Sequence, residues 1–385
     1  MQSNEERLIE LGKNVTTDWL KECLSWCIHQ IEKNGQRYKE KFPSACATNG
    51  IYRIKDNDDW TNGFWTGMLW LSYQMTGKEL FKATAMKNVA SFQKRLDDHF
   101  VLDHHDIGFL YSLSAVAGFQ ITGEKACEIE IKQAADVLKS RYHEKGKFIQ
   151  AWGKYGDPKE NRLIIDSLLN LPLLFRASQL TKDQSYHELA KAHYQTLLNT
   201  VIREDGTTFH TYFFDPKTQE PTHGATHQGH SDGSIWARGQ SWAILGIPLV
   251  QSYLESSAFP RNYQQIVKVF LSGLPEDLVP YWDFDFTDKN PSAKDSSSLA
   301  IAACGLLEAS KTNHFENGKE IAKGMVYQLG QHYFSKGMSD NEGLLIHGVY
   351  AFSEGKGVDE PNLWGDYFFM EALVRLLDPD WKKYW

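Results

Sequence analysis

The chain has 385 residues, 42% hydrophobic and 23% charged, which is the ordinary balance of a globular protein and excludes long disordered segments. Its net charge of −8 is spread without long runs of one sign, which argues against general binding to nucleic acid or an anionic membrane. Aromatic residues make up 13%, and this content suits either a large core or a sugar-binding cleft.

The beginning of the chain and its cysteines indicate a cytoplasmic protein. The start, MQSNEERLIELGK, has no basic region followed by an apolar one, and no stretch approaches 18 uninterrupted apolar residues. The five cysteines have no framework spacing, so we expect free thiols in a reducing compartment. The first predicted helix runs from about Thr17 to Asn34 and carries Cys23 and Cys27 on one face.

A degenerate repeat follows and occurs six times. Most copies open with a helix that is apolar or small on nearly all sides, as is typical of a buried helix. Several copies then turn at a polar step into a second helix with charges on one face. The copies begin at Phe64, Ile107, Ile164, Trp236, Ser296 and Leu363.

Six helical hairpins of this kind predict an all-α protein, an (α/α)6 barrel with an inner and an outer ring of helices. We expect a single domain over residues 1–385. Strand-like sequence is confined to the connections, around Thr207 to Phe214 and from Tyr281, and predicts only short strands at the rim.

The segments that lead into the inner helices are rich in Asp, His, Asn and Trp. They read DNDDWTNG, LDHHD, ENRLIID, THQGHSDGS, SAKDSSS and GVDEPN. The inner helices of such a barrel all run the same way, so these segments should converge on one mouth. Helix N-termini there would favour an anionic ligand.

Two carboxylates, Asp106 and Asp166, stand directly before apolar helices. Burial and a neighbouring carboxylate both raise the pKa of an Asp, which would make one of them a proton donor near neutral pH. The alternative is that each merely caps its helix. The adjacent His104 and His105 diverge on a helical turn, so no metal site is expected. Arg238, between Trp236 and Trp242, suits either capture of a carboxylate or a structural ion pair.

Longer strings connect the chain to a known family. They include DNDDWTNGFWTGMLWLSY, LDHHDIGFLYS, FIQAWG, RLIIDSLLNLPLLF, FHTYFFDP, THQGHSDGSIWARGQSW, HGVY and NLWGDYFFMEAL. With these motifs the sequence resembles, over nearly its whole length, the unsaturated glucuronyl hydrolases, family 88 of the glycoside hydrolases.

The resemblance implies an (α/α)6 barrel that uses no metal or cofactor. Its substrate would be an unsaturated di- or oligosaccharide, left by a polysaccharide lyase, from which it removes the terminal 4,5-unsaturated uronic acid. By motif, Asp166 corresponds to the general acid and base, and Asp106 to a second essential Asp. The resemblance places in the sugar site Trp60, His105, Trp152, His210, Gln228, Trp236, Arg238 and Trp242.

The chain departs from the pattern of relatives that favour sulphated fragments. Those relatives have an Arg in the loop resembling THQG and Ser-x-x-Ser-x-Lys after HGVY. Here the positions hold His227 in the loop and Ala351, Glu354 and Lys356 after it. Because Glu354 would repel a sulphate and Ala351 offers no donor, we expect no strong preference for sulphated substrates, although Lys356 keeps one cation there.

Three other functions are compatible with the same barrel. An inverting glycosidase would use two carboxyl groups roughly 6.5–9.5 Å apart with a water between them. A sugar epimerase would move a proton between His105 and His210. A binding protein without catalysis would use the Trp residues for stacking, and the fold by itself does not distinguish these cases.

Overall fold

Helices dominate the structure, a computed structural model that describes residues 2–254, 259–260, 262–312 and 315–385. In chain order the helices are α1 (Asn4–Gly12), α2 (Thr17–Tyr38), α3 (Asn62–Thr76), α4 (Glu79–Asp97), α5 (Ile107–Tyr111), α6 (Ala117–Thr122), α7 (Lys125–Lys139), α8 (Ser167–Thr181), α9 (Gln184–Thr200), α10 (Ala237–Gln251), α11 (Tyr263–Ser272), α12 (Ser296–Ser310), α13 (Gly318–His332) and α14 (Leu363–Leu377). A π-helical turn (Ser112–Val116) joins α5 to α6, so these two form one continuous rod.

The predicted inner ring consists of α3, the α5–α6 rod, α8, α10, α12 and α14. These helices are buried on nearly every side, and in α12 every residue from Ser296 to Ala309 is buried. Helices α4, α7, α9, α11 and α13 have one apolar face and pack outside the inner helices. The two rings confirm the predicted (α/α)6 barrel.

The ring closes differently from the prediction of six sequential hairpins. Within the described ranges no helix follows α14, and its outer partner is α2 from the other end of the chain. The sixth hairpin is therefore made from both ends of the sequence. The sequence analysis also missed α1, which packs against α13. Its nine residues are too few for a clear period, although Ser3 and Glu6 form a capping box that marks its start.

The strands are short and lie in the connections. They are β1 (Phe42–Pro43), β2 (Ile54–Lys55), β3 (Tyr142–His143), β4 (Phe148–Ile149), β5 (Arg162–Ile164), β6 (Thr211–Phe214), β7 (Pro221–Ala225), β8 (Gly348–Ala351) and β9 (Lys356–Glu360). All pair antiparallel, as β1–β2, β3–β4, β5–β6–β7 and β8–β9. Leu163 lies opposite Tyr212 in the three-stranded sheet, which confirms a rim strand in the segment from Thr207 to Phe214.

The segment from Tyr281, where the sequence predicts a second rim strand, forms no regular strand among the described residues. The segment makes three isolated antiparallel bridges, Tyr281 with Lys294, Thr287 with Asn290 and Asp283 with Trp236. A side chain connects this segment to its neighbour. The Asp283 carboxylate accepts hydrogen bonds from the Ser234 hydroxyl (2.7 Å) and from the backbone N–H of residue 230 (2.8 Å).

The remaining sequence expectations concern the thiols and the membrane. All five cysteines are free and buried, including Cys23 and Cys27 on the inner face of α2. In the part of the chain that the structure covers, no helix combines the length and apolarity that a bilayer crossing requires.

Candidate active site

A cavity of about 220 Å³ opens at the N-terminal ends of the inner helices. It is lined by every predicted site residue except one, and four of the six polar segments contribute to its wall, namely DNDDWTNG, LDHHD, ENRLIID and THQGHSDGS. The predicted residues that line it are Trp60, Asp106, Trp152, Asp166, His210, His227, Gln228, Trp236, Arg238, Trp242 and Lys356. Its volume is below the roughly 300–1,000 Å³ of sites for drug-sized ligands, so it suits a single sugar ring.

The two aspartates occupy the N-cap positions of α5 and α8, yet neither side chain accepts a hydrogen bond from its own helix. The interpretation of Asp106 and Asp166 as simple helix caps is therefore wrong. The first turns of the two helices touch, because a Cβ on Gly108 would lie 2.3 Å from the Cα of Asn170. The backbone N–H of Phe109 also donates to Asn170 Oδ1 at 3.0 Å. This contact brings the two carboxyl groups together.

His105 is the predicted site residue that does not line the cavity. It is 1% exposed and lies behind the two carboxyl groups. Its Nε2 is 3.4 Å from Asp106 Oδ1 and 3.2 Å from Asp166 Oδ1, and neither contact has hydrogen-bond geometry. On the other side of the ring, Nδ1 lies 2.9 Å from the Ser167 hydroxyl. The ring thus contacts both acids and cannot itself stack on a ligand in the cavity.

The electrostatics of these three groups separate the roles of the two acids. Burial raises the pKa of Asp166, and the negative charge of Asp106 adds to the increase, although His105 opposes it. Burial alone would also raise the pKa of Asp106, but the neighbouring His105 and His104 outweigh it and the pKa is lowered. Burial alone would lower the pKa of His105, yet the two carboxylates raise it. Of the two acids, Asp166 is therefore the one whose protonated form is favoured, and Asp106 the one whose ionised form is favoured.

His210 is a neutral imidazole whose tautomer is set by the backbone. Its Nδ1 accepts hydrogen bonds from the N–H groups of His227 (2.9 Å) and Gln228 (3.1 Å), so the ring proton is on Nε2. Burial, with the charges of His227 and Arg238, lowers its pKa well below the usual value. A ring held in this state is a donor and a poor base, which argues against the epimerase alternative.

Arg238 makes a structural ion pair. The guanidinium is 1% exposed, and its Nη1 donates to Asp295 (3.3 Å) and to the carbonyl of Val349. Its Nη2 donates to Gln228 Oε1 (2.7 Å) and to the carbonyl of Tyr350 (2.7 Å). Because all four hydrogens of the two terminal nitrogens have protein acceptors, the geometry favours the ion pair over capture of a ligand carboxylate.

The aromatic wall includes a residue that the sequence analysis did not select. Tyr350, in the HGVY motif, lines the cavity, and its hydroxyl accepts a hydrogen bond from Trp60 Nε1 at 2.7 Å. Only the motif itself signalled this tyrosine, because nothing local places it beside Trp60. Trp236 packs on the ring of His210 with centroids 4.4 Å apart. Trp and Tyr therefore form fixed surfaces on which a sugar ring can stack.

The lip of the cavity carries opposed charges. His227 Nε2 lies 3.2 Å from Glu354 Oε1, and both side chains are nearly half exposed, at 45% and 47%. The Lys356 ammonium lies 3.8 Å from the centre of the Tyr350 ring. The carboxylate of Glu354 and the ammonium of Lys356 are thus both part of the cavity lining.

The separation of the two acids bears on the inverting alternative. One oxygen of Asp106 and one of Asp166 lie within 4.8 Å of each other. This is shorter than the roughly 6.5–9.5 Å that an inverting glycosidase needs to seat a water between its carboxyl groups. The geometry therefore disfavours that mechanism.

Comparisons with known proteins define the family. The profile of Glycosyl Hydrolase Family 88 matches residues 34–316. An unsaturated chondroitin disaccharide hydrolase of Streptococcus pneumoniae is 44% identical over 385 residues, which covers 99% of this chain and 97% of the relative. The chain belongs to glycoside hydrolase family 88.

Solved structures agree with this assignment. The crystal structure of unsaturated glucuronyl hydrolase from Streptococcus agalactiae has a TM-score of 0.93 at 42% identity, over 96% of this chain and 94% of the other. A variant of the same hydrolase in complex with dGlcA-GalNAc6S has a TM-score of 0.86 at 38% identity, over 98% of this chain and 97% of the other.

Proposed function

We propose that this hydrolase removes a 4,5-unsaturated uronic acid from the non-reducing end of an oligosaccharide produced by a polysaccharide lyase. The observation that carries the proposal is the pair of Asp166, whose pKa is raised by burial, and Asp106, whose pKa is lowered by His105 and His104, at the wall of a cavity sized for one sugar. The names of the relatives, which act on unsaturated glucuronyl or chondroitin disaccharide substrates, support the same substrate class.

The reaction is hydration of a vinyl ether. Asp166 donates its proton to C4 of the C4=C5 bond, and the positive charge that forms at C5 is shared with the ring oxygen. Water then attacks C5 and gives a proton back to the same carboxylate. The resulting hemiketal opens and releases the rest of the saccharide. The first step requires a proton donor, and the raised pKa of Asp166 favours the protonated carboxyl group that can supply it.

Asp106 and His105 support that acid in different ways. The negative charge of Asp106 disfavours ionisation of Asp166, and it stabilises the positive charge that develops on the sugar. Asp106 also lines the cavity, where its carboxylate can accept a hydrogen bond from a sugar hydroxyl. His105 lies behind both groups and is a positioning residue, because it contacts each carboxyl group and no part of the cavity.

The carboxylate of the uronic acid needs donors that are free. His210 offers its Nε2–H, and Gln228 offers its amide N–H groups, because its Oε1 is held by Arg238. The N-termini of the inner helices add positive potential at the same mouth. In this proposal Arg238 orients Gln228 and does not contact the sugar carboxylate.

The lip residues make unsulphated substrates the preferred ones. An anionic sulphate entering beside Ala351 would meet the Glu354 carboxylate, and only Lys356 would compensate for it. We expect Glu354→Ser to improve kcat/KM for a sulphated disaccharide and to leave that for the unsulphated disaccharide unchanged.

The decisive assay uses the ultraviolet absorbance of the conjugated C4=C5 bond. The panel consists of unsaturated disaccharides from chondroitin, hyaluronan, heparin and gellan. At least one of them should lose that absorbance when it is mixed with this protein. Absorbance that persists across the whole panel would remove the proposed function.

A further inference from the structure

We propose that His105, Asp106 and Asp166 also form a latent site for a first-row divalent cation of the Zn²⁺ class, and that occupation of this site stops the reaction. The inhibition rests on the proposed function, whereas the binding does not. A single nitrogen ligand and two carboxylate oxygens come within 4.8 Å of one another here.

The spacing of these atoms suits zinc. Zinc binds nitrogen and oxygen at about 2.0–2.2 Å with tetrahedral geometry, which places its ligand atoms about 3.3–3.5 Å apart. His105 Nε2 lies 3.4 Å from Asp106 Oδ1 and 3.2 Å from Asp166 Oδ1. Two of the edges of a tetrahedral site are therefore already formed, and the third, between the two carboxylate oxygens, is no longer than 4.8 Å and would have to shorten when the cation binds.

Two of the three atoms lack any other partner. His105 Nε2 and Asp166 Oδ1 are buried and make no hydrogen bond within the described residues. His105 is 1% exposed, and its Nε2 is directed between the carboxyl groups. Buried polar atoms without partners are costly, and a cation between them would satisfy both at once.

The far side of the ring is also suited to metal binding. Nδ1 lies 2.9 Å from the Ser167 hydroxyl, so Nδ1–H can donate there and leave the Nε2 lone pair for the cation. A histidine that binds a metal usually has such a partner on its other nitrogen.

Occupation would inhibit the enzyme for a simple reason. A cation bound to Asp166 Oδ1 favours the ionised form of this carboxyl group, so the group no longer holds the proton that it would donate to the sugar. The fourth position of the cation would face the cavity, because Asp106 and Asp166 both line it. A substrate carboxylate or a water would take that position, and inhibition should therefore depend on substrate concentration.

The test measures cation binding without substrate. Co²⁺ is titrated into the protein and its visible absorption is followed, and Zn²⁺ binding is measured by calorimetry. We expect one tightly bound ion per chain, with tetrahedral Co²⁺ bands. Ser167→Ala should weaken binding by about 10- to 100-fold. His105→Gln and Asp106→Asn should each weaken it by at least as much.

A matched control is His230→Gln. His230 belongs to another His–Asp pair, outside the cavity, in which its Nδ1 lies 2.9 Å from Asp285. This variant should leave both cation binding and activity unchanged. The site is refuted if no such ion binds below about 1 mM or if the three variants bind as the wild type does.

Inhibition is measured separately with the absorbance assay. Activity in EDTA tests the proposed function alone, and added Zn²⁺ should then abolish it reversibly. Zn²⁺ that binds at this site without slowing turnover, or that accelerates it, would overturn the inhibitory role. A protein that binds the ion but is inactive in EDTA on every disaccharide would refute the proposed function and leave the site intact.

Discussion

Asp166→Asn is the sharpest test of the proposed chemistry, because the amide has nearly the same shape as the carboxyl group but cannot donate a proton to carbon. The side chain would keep its place 3.2 Å from His105 Nε2. General acid or base catalysis contributes about 10²- to 10⁴-fold, or roughly 3–5 kcal/mol. Since Asp166 acts first as acid and then as base, we expect a loss in kcat of about 10⁴-fold.

The assay is the fall in ultraviolet absorbance of an unsaturated disaccharide, with binding measured independently by calorimetry. Binding should change little, because the groups proposed to hold the sugar carboxylate remain. The matched control is Asp103→Asn, in the same loop as Asp106 but exposed at 66%, and it should retain wild-type kcat. An Asp166→Asn enzyme with near-normal kcat would show that the proton comes from another group.

The same variant should also change stability, with a sign set by the raised pKa of Asp166. Below about pH 4 the carboxyl group is protonated in both the folded and the unfolded chain, so it does not lower the free energy of unfolding. Above that pH the unfolded chain ionises while the folded one resists, and the wild type loses stability as pH rises through the folded pKa. Asn has no such loss, so the Tm of the variant relative to wild type should rise with pH.

Three further changes test how the site is held. His105→Gln removes a group that lowers the pKa of both carboxyl groups. Both the acidic and the basic limb of the plot of kcat against pH should therefore move to higher pH. A plot that does not move would contradict this. Gly108→Ala would press a Cβ against the backbone of Asn170, and should cost at least about 1–3 kcal/mol in urea unfolding and lower kcat. Arg238→Gln leaves a buried carboxylate unpaired and should cost about 3–5 kcal/mol, whereas a higher KM at unchanged stability would favour direct contact with the sugar.

The local sequence pattern was sufficient to predict the barrel class and the inner ring of helices. Helices that are apolar on all sides, such as α12, can only be buried, and polar segments before each of them can only lie at one end of a parallel inner ring. The positions of Asp106 and Asp166 before two such helices followed from the same pattern. The closure of the ring by α2 did not, because the partner of α14 lies at the opposite end of the sequence.

The role of each residue at the site could be assigned only from the tertiary structure, because it depends on which side chains lie close together. Asp106 and Asp166 are 60 positions apart, and only the packing of Gly108 against Asn170 makes them neighbours with unequal pKa values. The same holds for His105, which the fold places behind the acids. Sequence records which side chains are apolar and where helices begin, whereas proton affinity and hydrogen-bond satisfaction arise from charges and burial that exist only once the chain has folded.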